Sequence, residues 1–446
     1  MWSAEQRRRA LAERLFHLSA TVNSAKGAQQ ELTEGLSELI RRLDRLVPGL
    51  ITDFDARWQR IDSAAMPAAV AERLKSELCK EIEDLVAEVG PLMLRVVAGG
   101  ESTAVPVEIE TCLQRQVDQA APRWNWTSIL YASPEYNYSV ERIPDPQQVL
   151  GHTAGTIPRT RRDLVAFSLP RPERDAIGLH AVLLGHEVGH VRDWFLRVTE
   201  THRLVIPKGW RSQPDRLGIF LDWGESWISE VVADIFACLT MGPVALLALP
   251  ELMMKAAELN LDSETHPSPA RRIELMVRVL RHRGYGRLPT LKPILDSYAD
   301  LSRMAWTRAI ELPDELPQST TLYAECGNAV VPEVARTLQL LERRCRQLLP
   351  RASLASPSSW PDVLHASDLL TQGIPCGEDV KHLPVDVVTI LNAAWFVKVA
   401  RLQDFGPTLA LTDPNASTED LGTLNAKLDL LALKSIEISE VLRGRV

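Results

Sequence analysis

The stretch GLHAVLLGHEVGH, residues 178–190, lies near the middle of the 446-residue chain and ends in the motif HEVGH at residues 186–190. Its apolar residues predict a helix. Side chains four residues apart lie on one helix face, so the imidazoles of His186 and His190 can reach one ion, while Glu187 projects toward bound water. Two imidazoles, a carboxylate and a water are typical ligands of a hydrolytic zinc site. The stretch therefore predicts two ligands of one Zn²⁺ ion and a catalytic Glu187.

A second predicted helix, WISEVVADIFACL at residues 227–239, offers two carboxylates four residues apart. We expect Glu230 to be the third metal ligand. Asp234 is placed to accept the second N–H of His186, as the outer carboxylates of metal-bound histidines do. Glu225 is the other candidate ligand, but it lies where this helix is expected to begin, and we favour Glu230.

A third histidine ligand, as in the pattern HExxHxxGxxH, is excluded. The glycine and histidine positions of that pattern hold Asp193 and Leu196. The metzincin branch of zinc peptidases is therefore not expected. The motif HExxH alone would arise by chance in about one or two per cent of chains with this histidine content, so the second helix strengthens the prediction.

Three blocks follow one another along the chain: HEVGH (186–190), EVVAD (230–234) and THPSPARRI (265–273). Together they resemble the gluzincin metallopeptidases, in particular the M48 group with its Ste24-like and HtpX-like enzymes, over roughly residues 160–282. The resemblance implies a zincin-like core, one Zn²⁺ ion, and a protein or peptide substrate. It also implies that His266 stabilises the tetrahedral intermediate and that Arg272 braces Asp234. Those enzymes are usually membrane-embedded, and we do not carry over their membrane substrates.

The whole pattern predicts a mainly α-helical fold with a small β-sheet, of the α+β class. We expect three regions: an N-terminal helical bundle or coiled coil, a zincin-like metallopeptidase core, and a C-terminal helical domain, at residues 1–120, 121–285 and 286–446. In the first region we favour the bundle, because only a few heptads are visible and their seam is broken around Gly27 and Pro48. A later helix is expected to be interrupted at Gly90-Pro91. Short strands are expected at 122–172, and the strand at 163–169 is expected to line a cleft ahead of the motif helix.

Composition excludes several other functions. The net charge of -8 argues against a general nucleic-acid binder, because neutralising phosphates requires clustered basic residues. No apolar segment is long enough for a convincing membrane span, and the charged first twenty residues do not resemble a secretory signal. Six dispersed cysteines fit a reducing cytoplasm, and forty arginines against ten lysines suggest a bacterial source.

These patterns predict a soluble, cytoplasmic zinc endopeptidase, in which Glu187 activates the zinc-bound water. The alternative is a catalytically weak or inactive zincin fold that binds a regulatory partner. Glu187 distinguishes the two, because a binding module has no need of the water-activating carboxylate. The long helical flanks suggest a regulated processing enzyme with a protein partner.

Overall fold

The structure is a computed structural model, and a defined set of residues is described below: 4–27, 34–100, 106–121, 126–133, 138–143, 163–170, 176–202, 204–253, 263, 265–308, 329–330, 337, 339–349, 354–379, 381–405 and 421–444. Contacts divide the chain into two compact units. The first comprises Met1–Glu110 and Arg123–Arg174, and the second comprises Thr111–Pro122 and Asp175–Val446.

The first unit packs long helices against a small sheet. Its elements are α1 (Ala4–Gly27), α2 (Glu34–Ser63), α3 (Ala68–Gly100), β1 (Trp126–Ser133), β2 (Ser139–Ile143) and β3 (Asp163–Pro170). The predicted leucine stripes form its core, with Leu11, Leu15 and Leu43 buried together with Ile129 and Leu164 of the sheet. Helix α1 ends at Gly27, where a break in the heptad seam was expected, whereas α2 continues through Pro48. The predicted interruption at Gly90-Pro91 is wrong, because α3 continues through it.

The sheet has the order β1-β3-β2. Strand β3 pairs in parallel with β1 and antiparallel with β2, and Phe167 lies opposite Leu130 on one side and Val140 on the other. Strand β3 is central, so both of its edges are hydrogen-bonded. Its residues from Leu164 to Phe167, which point alternately to the two faces of the sheet, are all buried, so both faces are covered there. An uninterrupted apolar run is the sequence pattern of such a strand.

The second unit is helical in the part that the structure describes. Helix α4 (Val107–Ala120) continues into it, and its other α-helices are α5 (Val188–Leu196), α6 (Val198–Thr201), α7 (Pro214–Met241), α8 (Pro243–Met253), α9 (Pro269–Arg283), α10 (Lys292–Arg308), α11 (Trp360–Thr371), α12 (Val387–Phe396) and α13 (Leu421–Arg443). A further helical stretch covers 339–348. Helix α7 is central, since α5, α8 and α9 all pack against it. Every residue from Glu230 to the end of α7 is buried.

The longest apolar run of the sequence is divided between α7 and α8. Gly242 separates the two helices at a φ of 70°, a left-handed value that suits glycine, and Pro243 then begins α8. No helix within the described ranges is both long and apolar enough to cross a membrane.

The prediction of a mainly helical fold with a small sheet is confirmed, and the sheet is mixed and three-stranded. The two units do not coincide with the three predicted regions, 1–120, 121–285 and 286–446, because the strands join the N-terminal helices. That division into three regions stays a prediction.

Candidate metal centre

The two motif histidines lie where a π-helical turn passes into α5. The turn spans Val182–Glu187 and carries His186, whereas His190 lies in the first turn of α5. Their Nε2 atoms are 3.2 Å apart. The spacing of the motif therefore brings the imidazoles together as predicted, but across a π turn, which is rare in proteins and frequent at functional sites.

Two glycines allow this helix to approach α7 closely. A Cβ atom on Gly189 would lie 2.8 Å from the Cα atom and 2.9 Å from the carbonyl oxygen of Ala233. A Cβ atom on Gly185 would lie 3.2 Å from that of Ala237 and 2.8 Å from Cγ of Met241. Because these contacts leave no room for side chains, the glycines set the short distance at which the histidines face the carboxylates of α7.

Glu230 of α7 completes a cluster with the two histidines. Its Oε2 lies 3.3 Å from Nε2 of His186, and its Oε1 lies 3.3 Å from Nε2 of His190. Glu230 Oε2 is buried and accepts no hydrogen bond from the residues that the structure describes. Its polar neighbours are His186 Nε2 and Arg272 Nη1, each at 3.3 Å, and a metal ion would give this oxygen a direct partner. The three residues could hold a metal ion, since one ligand atom from each lies within 4.8 Å of the others.

Glu225, the alternative third ligand, lies outside this cluster. The expectation that the helix begins near Gly224 is wrong, because α7 begins ten residues earlier with Pro214 in its first turn, and Glu225 is an exposed residue within it. Glu225 precedes Glu230 by five residues, about 140° around a helix, and therefore points away from the cluster.

Asp234 and Arg272 are buried and contact the cluster through His186 and Glu230. His186 Nδ1 lies 2.9 Å from Asp234 Oδ1. Arg272 of α9 donates from Nε and Nη2 to the two oxygens of Asp234, at 2.8 and 2.7 Å. Its Nη1 lies 3.3 Å from Glu230 Oε2. Arg272 therefore reaches one carboxylate bidentately and a second with its remaining nitrogen, as the planar guanidinium allows.

These contacts shift the pKa of each member. Burial alone raises the pKa of Glu230, but Arg272 and the histidines outweigh burial and hold that pKa well below its usual range. The pKa of Asp234 is lowered in the same way against the effect of burial, chiefly by Arg272. Burial lowers the pKa of His186, yet its contacts with Asp234 and Glu230 raise the net value to about 10. Both carboxylates are therefore ionised at neutral pH.

His190 has a polar chain of its own, which sequence reasoning missed. Its Nδ1 lies 3.3 Å from the hydroxyl of Ser229, and this hydroxyl lies 3.5 Å from Asp193 Oδ2. Asp193 is itself fixed by the backbone N–H of Thr199 at 2.9 Å and by the Thr199 hydroxyl. The sequence could have indicated this chain only through helical spacing, because Ser229 directly precedes Glu230 and Asp193 follows His190 by three residues.

Glu187 lies beside the ligands and is buried. Burial raises its pKa, against the opposing effect of the two histidines. A carboxylate with a raised pKa is a better proton acceptor than an exposed one, and this property suits a general base.

His266 lies at the open side of the cluster, with its Nε2 atom 3.4 Å from Glu230 Oε1 and its side chain half exposed. A tight turn holds it there: its N–H donates to the Ser263 hydroxyl, and Ser263 N–H donates to its carbonyl, each at 2.9 Å. The indole N–H of the buried Trp227 donates to the Ser263 carbonyl at 2.9 Å. Trp227 is therefore a second residue whose role the sequence did not indicate.

The structure thus brings together all seven residues predicted for the site: His186, Glu187, His190, Glu230, Asp234, His266 and Arg272. The predicted cleft strand at 163–169 lies in the first unit, and its proximity to the site stays a prediction. Comparisons of the chain with protein-family models, with curated proteins and with solved structures found no match.

Proposed function

We propose that this chain is a zinc-dependent hydrolase that cleaves peptide bonds, with one Zn²⁺ ion held by His186, His190 and Glu230. The spacing of the ligand atoms carries the proposal. A tetrahedral zinc ion with bonds of about 2.0–2.1 Å separates its ligand atoms by about 3.3–3.4 Å. The two Nε2 atoms are 3.2 Å apart, and each lies 3.3 Å from a different oxygen of Glu230, Oε2 for His186 and Oε1 for His190. The carboxylate therefore faces both imidazoles, and one ligand atom from each residue lies within 4.8 Å of the others. Two imidazoles and one carboxylate also leave a fourth position for water, as catalytic zinc sites do.

Zinc at this position would lower the pKa of water and polarise the substrate carbonyl. The protein supplies the proton transfers. The Glu187 carboxylate, with its raised pKa, accepts the proton of the attacking water and donates it to the leaving amine. Asp234 accepts a hydrogen bond from Nδ1–H of His186 and thereby directs the lone pair of Nε2 toward the metal position.

Arg272 and His266 have separate roles in this proposal. Arg272 is almost fully buried and contacts Asp234 and Glu230, so it positions the ligand shell. His266 is half exposed beside Glu230 and can donate a hydrogen bond to the substrate oxyanion. This assignment refines the roles that the resemblance to gluzincins implies for both residues.

The wider proposal is a zincin-like core of the gluzincin type in a cytoplasmic, bacterial processing enzyme. Peptide substrates follow from the three blocks that resemble the M48 group. An inactive, partner-binding zincin is the alternative. The buried Glu187 favours hydrolysis, because a buried carboxylate is costly to retain without a function.

The first test measures zinc by elemental analysis together with hydrolysis of a quenched-fluorescent peptide library. Wild type and Glu187→Gln should each contain one zinc ion per chain, and only wild type should cleave. The double variant His186→Ala/His190→Ala should lose both zinc and cleavage. Glu225→Gln is the matched control for Glu230→Gln, because it changes an exposed acid of the same helix and should alter neither.

Wild-type protein that contains no zinc after metal-replete purification would refute the metal assignment. Zinc-loaded wild type that cleaves no peptide would instead support the partner-binding alternative.

A further inference from the structure

The two motif histidines are oriented in different ways. His186 faces the carboxylate of Asp234 directly, with Nδ1 2.9 Å from Oδ1. His190 instead faces the hydroxyl of Ser229, with Nδ1 3.3 Å from Oγ, and this hydroxyl donates to Oδ2 of Asp193 at 3.5 Å. These contacts run from α5 to α7 and back, because His190 and Asp193 lie on the first helix and Ser229 on the second. A hydroxyl therefore separates His190 from its carboxylate.

The direction of these hydrogen bonds follows from Asp193. Its Oδ1 accepts the backbone N–H of Thr199 at 2.9 Å, and its Oδ2 accepts the Thr199 hydroxyl. A carboxylate accepts hydrogen bonds and has no hydrogen to donate. The single hydroxyl hydrogen of Ser229 therefore points to Asp193, and a lone pair of its oxygen is left for His190. A lone pair can only accept, so in the neutral ring Nδ1 carries the proton and Nε2 keeps its lone pair.

Burial makes the Asp193 carboxylate costly to retain. The residue has 4% of its surface exposed, and it forms no ion pair with any residue in the described ranges. Buried charges are usually paired, and an uncharged asparagine would be less costly to bury at this position. The charge therefore points to a role that an amide cannot perform. An amide can donate as well as accept, so it would not fix the direction of the Ser229 hydroxyl.

The corner after α5 fixes this carboxylate in place. The helix ends at Arg197, whose φ of 51° lies in the left-handed region that non-glycine residues rarely adopt. Such a conformation persists only where the surroundings hold it. The Arg197 side chain is exposed and pairs with Glu200, so the side chain does not account for this value. The turn brings Thr199 of α6 back to Asp193, whose carboxylate accepts its N–H as an N-cap side chain does.

We propose that Asp193 and Ser229 are positioning residues of the metal site. Asp193 fixes the hydroxyl of Ser229, and this hydroxyl holds the His190 ring with Nδ1 protonated and the Nε2 lone pair toward the metal position. Thr199 holds Asp193 in turn. The loss of such an outer partner of a metal-bound histidine typically weakens metal binding about 10- to 100-fold. The inference rests on the proposed zinc function, because it concerns the same ligands.

The affinity for zinc, measured by competition with a chelator, tests the direction of the hydrogen bonds. In Asp193→Asn the amide oxygen can still accept the Thr199 N–H, whereas the amide NH2 replaces Oδ2 and donates to Ser229. The Ser229 hydrogen then turns to Nδ1 of His190, so Nε2 carries the proton and cannot bind zinc. We expect the affinity to fall about 100-fold, at the upper end for outer partners of a ligand.

Ser229→Ala removes the bridging hydroxyl without reversing it. The His190 ring can then adopt either tautomer, and the affinity should fall about 10-fold. The double variant Asp193→Asn/Ser229→Ala should also lose about 10-fold, because the amide has no hydroxyl to redirect, and should bind zinc about 10-fold more tightly than Asp193→Asn alone. A purely structural role predicts no such recovery, because the double variant lacks more contacts than either single variant.

Thr201→Val is the matched control for Thr199→Val. Thr201 lies in the same short helix, but its exposed hydroxyl donates to the carbonyl of Arg197 at 2.8 Å rather than to Asp193. Thr199→Val loses the hydroxyl that donates to Asp193 and should weaken zinc binding about 2- to 10-fold, as expected for one hydrogen bond. Thr201→Val should bind zinc as wild type does. Urea unfolding of each zinc-free variant separates a change in affinity from a change in stability.

Two results would overturn the positioning roles while the zinc site itself stands. The first is a zinc-loaded wild type together with an Asp193→Asn variant that binds zinc as tightly as Thr201→Val. The second is a double variant that binds zinc more weakly than both single variants, since the losses would then add as structural damage does. Wild type that binds no zinc would refute the metal assignment and, with it, this proposal.

Discussion

Gly189→Ala should weaken metal binding by the cluster, although it adds only one methyl group. The new Cβ atom would lie 2.8 Å from Ala233 Cα and 2.9 Å from its carbonyl oxygen, whereas ordinary contacts begin at 3.4 Å. The two helices would have to separate by about 0.6 Å to relieve the closer contact. Because these atoms belong to the backbone, no side-chain rotation can replace this movement.

The expected magnitude follows from two opposing effects. Alanine favours a helix over glycine by about 1 kcal/mol, whereas overpacking of a tight contact costs about 1–3 kcal/mol, so the net loss of unfolding free energy should be about 0–2 kcal/mol. The affinity for zinc should be reduced more than the free energy of unfolding. Functional ligand distances vary by only about 0.2 Å, and a 0.6 Å displacement exceeds that tolerance. We expect zinc affinity to fall about 10- to 100-fold, as it does when a supporting residue is lost.

The assay combines urea unfolding of the zinc-free protein with a competition titration against a zinc chelator. Gly218→Ala is the control, because Gly218 lies in α7 with open space around its Cβ position, and it should gain about 0.5–1 kcal/mol. Gly185→Ala should have an intermediate effect, since its closest contact is the flexible Met241 side chain. A Gly189→Ala protein that matches Gly218→Ala in both stability and zinc affinity would refute the close-packing argument.

Two further substitutions test the residues around the ligands. Asp234→Asn should reduce zinc affinity about 10- to 100-fold, because His186 loses its charged partner, and should lower the unfolding free energy by about 3–5 kcal/mol, because Arg272 is left buried beside a neutral amide. Equal zinc affinity in the same chelator competition would contradict this. Trp227→Phe should cost about 1 kcal/mol in urea unfolding and slow peptide cleavage while zinc content stays unchanged, since only the turn at Ser263 is released. Loss of zinc would instead place Trp227 among the ligand supports.

The residues proposed as metal ligands were predictable because they depend on local helical spacing. His186 and His190 are four residues apart in one helix, and Glu230 and Asp234 are four apart in another. Spacing alone fixes which side chains share a face. The meeting of the two helices was expected from the carboxylate pair of the second helix and then from the resemblance, and the structure brings the four side chains together.

The supports of the site were not predictable in the same way. Asp193 was considered only as a failed ligand position, yet it holds Ser229 beside His190. Gly189 appears in the motif only as an unspecified residue, although its missing side chain sets the distance between the helices. Both roles depend on contacts between residues about 40 positions apart. A periodicity argument covers a few helical turns and cannot identify such contacts.

Charge balance gives a physical reason why the first and third sequence blocks accompany the second. The first block contributes Glu187 and the second contributes Glu230 and Asp234, so three carboxylates are buried within one small site. Buried charges are tolerated only when opposite charges compensate them. The third block contributes Arg272, which compensates one carboxylate. A divalent cation held by two neutral histidines would compensate the other two. Removing the first block would leave two carboxylates with Arg272 alone, and removing the third would leave three carboxylates with one divalent ion, so either change would leave a buried negative charge uncompensated. A monovalent ion in the same ligand shell would not restore neutrality.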